Sequence, residues 1–172
     1  MNYSLLRSKK TAFLAMLLAV ASIGLASCSA LSDMSTTNEA AMIDQATQVS
    51  ELTVFHSPTC GCCGKWIEHM EVQGFRVKDE ITENMDAIKA QYDVPEPMTS
   101  CHTTIVNGYV VEGHVPAADV ARLVNEKPAV AGIAAPGMPI GSPGMESGDS
   151  AEPYTVFSFT ESGEIASFAK HL

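Results

Sequence analysis

Apolar residues fall into three regimes along the chain. Thr11 to Leu25 is almost wholly apolar. From Ser29 to about Ser50 the chain is rich in Ser, Thr, Ala and Asn, and apart from a helical patch around Ala40 to Gln48 it reads as a tether. Short apolar runs broken by turn residues then begin. Leu52-Thr53-Val54-Phe55 reads as a strand, and Trp66, Ile67, Met70 and Val72 follow at roughly helical spacing until Gly74. Phe75 to Lys78 alternates as a second strand. Asn84 caps a short helix through Met85, Ile88 and Tyr92, which stops before Pro95 and Pro97. Thr103 to Val106, Asn107-Gly108 and Tyr109 to Val111 form a hairpin pattern, because Asn-Gly suits a two-residue type I′ turn. Pro116 suits the first turn of a helix carrying Val120, Leu123 and Val124. Ala134 to Gly148 is too dense in Gly and Pro for regular structure, which leaves a long ordered loop or a mobile flap. Tyr154 to Phe159 and Ile165 to Phe168, around Ser162-Gly163, make a last strand pair.

The front of the chain changes the picture by adding a destination. Arg7, Lys9 and Lys10 precede the apolar run, which is short for a membrane span and the right length for a signal-peptide core. It ends in Leu25-Ala26-Ser27-Cys28, which resembles the lipobox of bacterial lipoproteins. That resemblance implies cleavage before Cys28, lipidation of Cys28 and a membrane anchor made of several acyl chains. Ser29 stands where Asp would hold the protein back, which favours the outer membrane over the inner. The expected organisation is a signal peptide over 1–27, a lipidated cysteine and tether over 28–50, and one folded domain over 51–172.

Removing 27 of the 172 residues leaves 145, enough for a single hydrophobic core. Three of the ten Lys and Arg leave with the signal, so seven face twenty Asp and Glu. A chain this acidic, with no basic stripe, argues against nucleic acid as a partner.

With Cys28 set aside, four of the five cysteines remain: Cys60, Cys62 and Cys63 within one turn, and Cys101 followed by His102. Ordinary packing does not require such a concentration of soft donors. The cluster lies where the first strand hands over to the first helix, and amides at a helix N-terminus favour a thiolate. In the oxidising compartment outside the inner membrane, unprotected pairs tend to close as disulfides. The order β-α-β-α-β-β-α, with Cys60 and Cys63 in C-x-x-C spacing at the first strand-to-helix turn, predicts an α/β (α+β) thioredoxin-like domain with a C-terminal Gly/Pro/Met loop and an extra strand pair.

Several motifs occur together: Ser57-Pro58-Thr59-Cys60-Gly61-Cys62-Cys63-Gly64-Lys65-Trp66, Ser100-Cys101-His102-Thr103, Glu112-Gly113-His114-Val115-Pro116-Ala117, Pro136-Gly137-Met138-Pro139 and Gly141-Ser142-Pro143-Gly144-Met145-Glu146. In this order they resemble the CopG-type copper-resistance proteins, which are unrelated to the plasmid repressors of that name. The similarity runs from about Leu52 to the C-terminus. It implies a thioredoxin-like periplasmic protein, encoded with copper-export and copper-oxidation functions, whose cysteines bind copper. Periplasmic copper exporters or oxidases are the partners it implies.

The donor chemistry agrees with that implication. Thiolates and thioethers select Cu(I), and imidazole accepts either copper oxidation state. Cys60, Cys62 and Cys63 cannot all bind one ion in good geometry from a single tight turn, so bridging thiolates holding more than one copper ion are expected. Cys101 is expected to join them, because the segment before the third strand of such a fold faces the C-x-x-C turn. A thioredoxin has a substrate-guiding proline there, and this chain has Cys101. His102 is a candidate ligand unless strand alternation turns it away from Cys101. His114 is a candidate whose plainer role is capping the next helix. Met138 and Met145 are candidates in the loop, where methionine also fills gaps well. Met70 reads as core, Trp66 as a core or lid residue, and His56 and His69 as flanking surface histidines. The competing class is a thiol-disulfide oxidoreductase with Cys60 as nucleophile and Cys63 as resolver, a mechanism to which Cys62 and Cys101 are surplus. Zinc suits four cysteines, but adjacent Cys62 and Cys63 depart from its usual paired spacing.

Overall fold

The computed structural model describes residues 50–148 and 150–172. The predicted signal peptide, Cys28 and almost all of the tether lie outside the described residues. The elements in chain order are β1 (Glu51–His56), α1 (Gly61–Val72), β2 (Arg76–Ile81), α2 (Met85–Gln91), a single 3₁₀ turn (Glu96–Met98), β3 (His102–Val106), β4 (Tyr109–Glu112), α3 (Ala117–Glu126), β5 (Gly132–Ala134), β6 (Tyr154–Phe159) and β7 (Ile165–His171).

One mixed sheet runs β2-β1-β3-β4-β5-β6-β7. β1 pairs parallel with β2 and antiparallel with β3, placing His56 opposite His102. β3 and β4 are joined by the expected hairpin, with Asn107 at φ 49° and Gly108 at φ 86° as a type I′ turn requires. The fold is thioredoxin-like, with the sheet extended beyond β4 by three strands.

Strand alternation divides the apolar residues between two faces. Leu52, Val54, Val106, Val111, Ile133 and Val156 join Trp66 and Met70 of α1 and Val120 and Leu123 of α3 in the larger core. On the other side Met98, Val110, Ala134 and Phe159 pack with Tyr92 and Val94 after α2. Each fully buried Leu, Val or Met in these layers contributes roughly 1.5–3 kcal/mol. Asn84 Oδ1 accepts from Ala87 N at 3.1 Å, the cap expected of it. Pro116 stands one residue earlier than expected, as the N-cap of α3.

One difference from the sequence reading has a physical reason. β5 was not expected, because three residues are too few to show a period. The sheet makes it a strand by pairing it with β4 on one side and β6 on the other. Of the two states open to the Gly/Pro segment, the structure has the ordered loop. Gly137 N donates to Thr99 O (3.1 Å), Met145 N to Ser142 O (2.8 Å) and Glu152 N to Ile140 O (2.9 Å). This ordering matters because the loop folds back onto the cysteine turn.

Candidate metal centre

Cys60 ends the turn after β1, where its N–H donates to Ser57 O at 3.0 Å, and it is the N-cap residue of α1. Cys62 and Cys63 therefore fall in the first helical turn, among backbone amides with no helical partner. Cys63 is fully buried, while Cys60 and Cys62 are half-buried. Cys60 and Cys63 are joined as a disulfide, with their Cα atoms 5.5 Å apart. Cys62 and Cys101 are free thiols.

Cys101 comes from the bend before β3, as its place in the chain implies. Its sulfur and those of Cys60, Cys62 and Cys63 all lie within 4.8 Å of one another. Cys60 and Cys62 sulfurs are 3.6 Å apart. Two segments forty residues apart thus deliver four soft donors to one point.

His102 does not turn away from Cys101, which corrects the alternation argument. Cys101 lies in the bend, outside the strand, so the two-residue period does not govern the pair. His102 Nδ1 is 3.4 Å from Cys101 Sγ. The His102 ring is completely buried, with its centroid 4.5 Å from that of Trp66, and its Nε2 has no protein partner. His114 is also completely buried, and it does not cap α3. Its Nδ1–H donates to Pro143 O at 2.7 Å, which leaves the Nε2 lone pair facing the Cys101 thiol at 2.9 Å. Cys101, His102 and His114 form a second donor group within 4.8 Å, sharing the Cys101 sulfur with the first.

Burial sets the protonation of this centre. Desolvation pushes the Cys101 thiol up to about 12, helped by the neighbouring Cys62. Burial drives His102 well below the ordinary histidine range, with His114, Lys89 and His56 adding to it. It lowers His114 as well, against the opposing hydrogen bond to Pro143 O. The histidines are therefore neutral, with lone pairs available, and an ion entering here displaces the Cys101 proton. Two free thiols, the Cys60 and Cys63 sulfurs once their disulfide is reduced, and two neutral imidazoles make a donor set that fits a soft or borderline metal ion.

The remaining expected residues separate by position. Met145 is half-buried and, with Gly61, Cys62, Lys65 and Ile140, lines a groove of about 560 Å³ beside the thiols. Met138 is 56% exposed and follows Gly137, whose carbonyl accepts from Ser100 Oγ. Met70 and Trp66 are core, and Trp66 Nε1–H donates to Val115 O at 2.9 Å. His56 is engaged elsewhere, with Nδ1 on Ser57 O and Nε2 on Asp79. His69 Nε2 accepts from Ala117 N at 3.4 Å, linking α1 to α3.

Sequence reasoning missed what holds Cys101 in place. Glu112, at the end of β4, is completely buried on the opposite face of the sheet from His102. Its carboxylate accepts from Ser100 N (2.7 Å), from Thr103 Oγ1 (2.7 Å) and from the Lys89 ammonium of α2. Burial raises the Glu112 carboxyl while Lys89 and these hydrogen bonds oppose the rise. The available signal was an acidic residue ending the apolar run Tyr109-Val110-Val111, which reads equally well as an exposed strand end.

Gly144 lets the loop close over the centre. At φ +82°, an added Cβ would come within 2.9 Å of both Cys62 O and Trp66 N and within 3.3 Å of His114 Nδ1. Gly144→Val is expected to cost about 1–3 kcal/mol through strain and overpacking, read as a lower denaturant midpoint with an unchanged slope.

Comparison with known proteins places these features in a wider set. A family model described as "Protein of unknown function, DUF411" matches residues 98–145, the span from just before Cys101 to Met145. A solved structure named "Copper resistance protein copG- Form 2" is 45% identical, with a TM-score of 0.69 over 72% of this chain and 98% of its own. A second, named "Copper resistance protein copG- Form 1", is 45% identical, with a TM-score of 0.67 over 70% of this chain and 96% of its own. No curated protein matches the chain.

Proposed function

The chain belongs to the CopG copper-resistance family, and from that premise we propose that it is a copper-binding protein of the cell envelope that holds Cu(I) through bridging thiolates. The observation that carries this reading is the convergence of four cysteine sulfurs within 4.8 Å from two separate segments. Thiolate sulfur prefers Cu(I) to harder ions. Bridging by Cys60, Cys62, Cys63 and Cys101 accommodates more than one ion where a single tight turn cannot surround one. His102 and His114 add imidazole beside the shared Cys101 sulfur, and Met145 lies on the open side with Met138 further out. The protein then stores copper, passes it to an exporter or oxidase, or changes its oxidation state.

Redox state is expected to govern loading, because disulfide sulfurs are not thiolate ligands. Anaerobic Cu(I) titration with metal analysis should give more than one copper per chain after full reduction, and at most one while Cys60–Cys63 stays closed. Loading indifferent to thiol oxidation excludes the C-x-x-C pair from the centre.

The anchor belongs to the same reading. Lipidation of Cys28 would hold the domain to a membrane, the outer in preference to the inner, facing the periplasm. Mass spectrometry of the mature N-terminus should find acyl chains on Cys28, and Cys28→Ala should release the protein or stall its processing. An unmodified mature N-terminus beginning elsewhere overturns the lipoprotein assignment.

A thiol-disulfide oxidoreductase remains the second reading, favoured by one observation, the Cys60–Cys63 disulfide at a helix N-terminus.

A further inference from the structure

Two donor groups meet at Cys101, and only one of them depends on the C-x-x-C pair. The group of Cys60, Cys62, Cys63 and Cys101 loses two thiolates when Cys60 and Cys63 are oxidised. The group of Cys101, His102 and His114 has no atom in that disulfide, and its donor atoms lie within 4.8 Å of one another with the disulfide closed. We propose that Cys101, His102 and His114 form a mononuclear copper site that persists when the Cys60–Cys63 pair is oxidised. This inference rests on the copper-binding reading above and assigns that centre a second, redox-insensitive mode.

The geometry is that of a built site. The Pro143 carbonyl fixes the His114 tautomer and aims Nε2 at the sulfur, as carbonyls commonly do for metal-bound histidines. Gly144, the next residue, packs against the Cys62 carbonyl and the Trp66 amide too closely for a side chain, which holds this loop against the cysteine turn. His102 is locked between the Trp66 and His114 rings, at centroid distances of 4.5 and 5.0 Å, with Nδ1 toward the same sulfur. From the other face, the Glu112 carboxylate grips the Ser100 amide and so sets where Cys101 begins.

The chemistry balances without an oxidant or reductant. Cu(I) replaces the proton of the Cys101 thiol, which leaves to solvent, and each imidazole contributes a ring-nitrogen lone pair. One thiolate and two imidazoles suit a three-coordinate copper ion. Because Cys101 belongs to both groups, the single-ion site and the bridged cluster are two states of one centre.

The test uses the full chain carrying Cys60→Ser and Cys63→Ser, which removes the disulfide and both its sulfurs. Anaerobic Cu(I) titration against a chromophoric chelator should leave one copper per chain, with both sulfur and nitrogen scattering in X-ray absorption. Adding His114→Ala should take binding from one ion to none, while adding Cys62→Ser should leave the one ion in place. X-ray absorption of the double variant is decisive even where His114→Ala fails to fold, because sulfur-only scattering overturns the proposal. No copper in the double variant, with several in the reduced natural chain, overturns this site and leaves the copper reading standing. No copper in the reduced natural chain is the separate result that ends the copper reading itself.

Discussion

Cys101→Ser is expected to abolish the bridged cluster at least as completely as Cys60→Ser, although Cys101 lies forty residues from the C-x-x-C turn. Its sulfur is common to both donor groups, so its loss breaks the cysteine set and the cysteine–histidine set together. Cys60→Ser removes one thiolate from the first set and leaves the second whole. Anaerobic Cu(I) titration of both variants, with growth on copper, reads this hierarchy directly. A dithiol oxidoreductase requires the reverse order: Cys60 and Cys63 indispensable, Cys62 and Cys101 dispensable, with turnover of insulin or a model disulfide. Weak or absent reductase activity is expected, because a thiol stands where a thioredoxin positions substrate backbone with proline. Robust reduction surviving Cys101→Ser, together with normal copper tolerance, would overturn the copper reading.

Lys89→Met should be among the most damaging single substitutions away from the cysteines. Lys89 and Glu112 form an ion pair in which Glu112 is completely buried and the Lys89 side chain is 14% exposed. Removing the cation leaves a buried carboxylate without its counter-charge, a change that typically costs about 3–5 kcal/mol. Against a total stability of about 5–15 kcal/mol, that is a large fraction. Adding Glu112→Gln to Lys89→Met should recover much of the loss, since the charge is gone and an amide oxygen still accepts from Ser100 N or Thr103 Oγ1. Urea unfolding of the two variants measures both changes. A deficit under 1 kcal/mol for Lys89→Met shows that the pair is not holding this corner of the sheet. Copper titration of the folded double variant then separates stability from site geometry, since Ser100 precedes Cys101.

The chain determined its own fold class because the signals concerned are local. A period of two in Phe75 to Lys78, helical spacing from Trp66 to Met70, an Asx cap at Asn84 and an Asn-Gly turn each depend on neighbouring residues. The cysteines announced themselves for a related reason: donors this soft and this concentrated have few purely structural uses. Tertiary structure alone decided which groups meet. Cys101 and His102 share a side because the bend before β3 suspends strand alternation. The His114 tautomer depends on Pro143, twenty-nine residues away. Glu112 is buried because Lys89 and Thr103 arrive at its carboxylate from α2 and β3. Burial that is tolerable only with a partner cannot be read from either partner alone, since a lone Glu or Lys in a sequence is by default an exposed one.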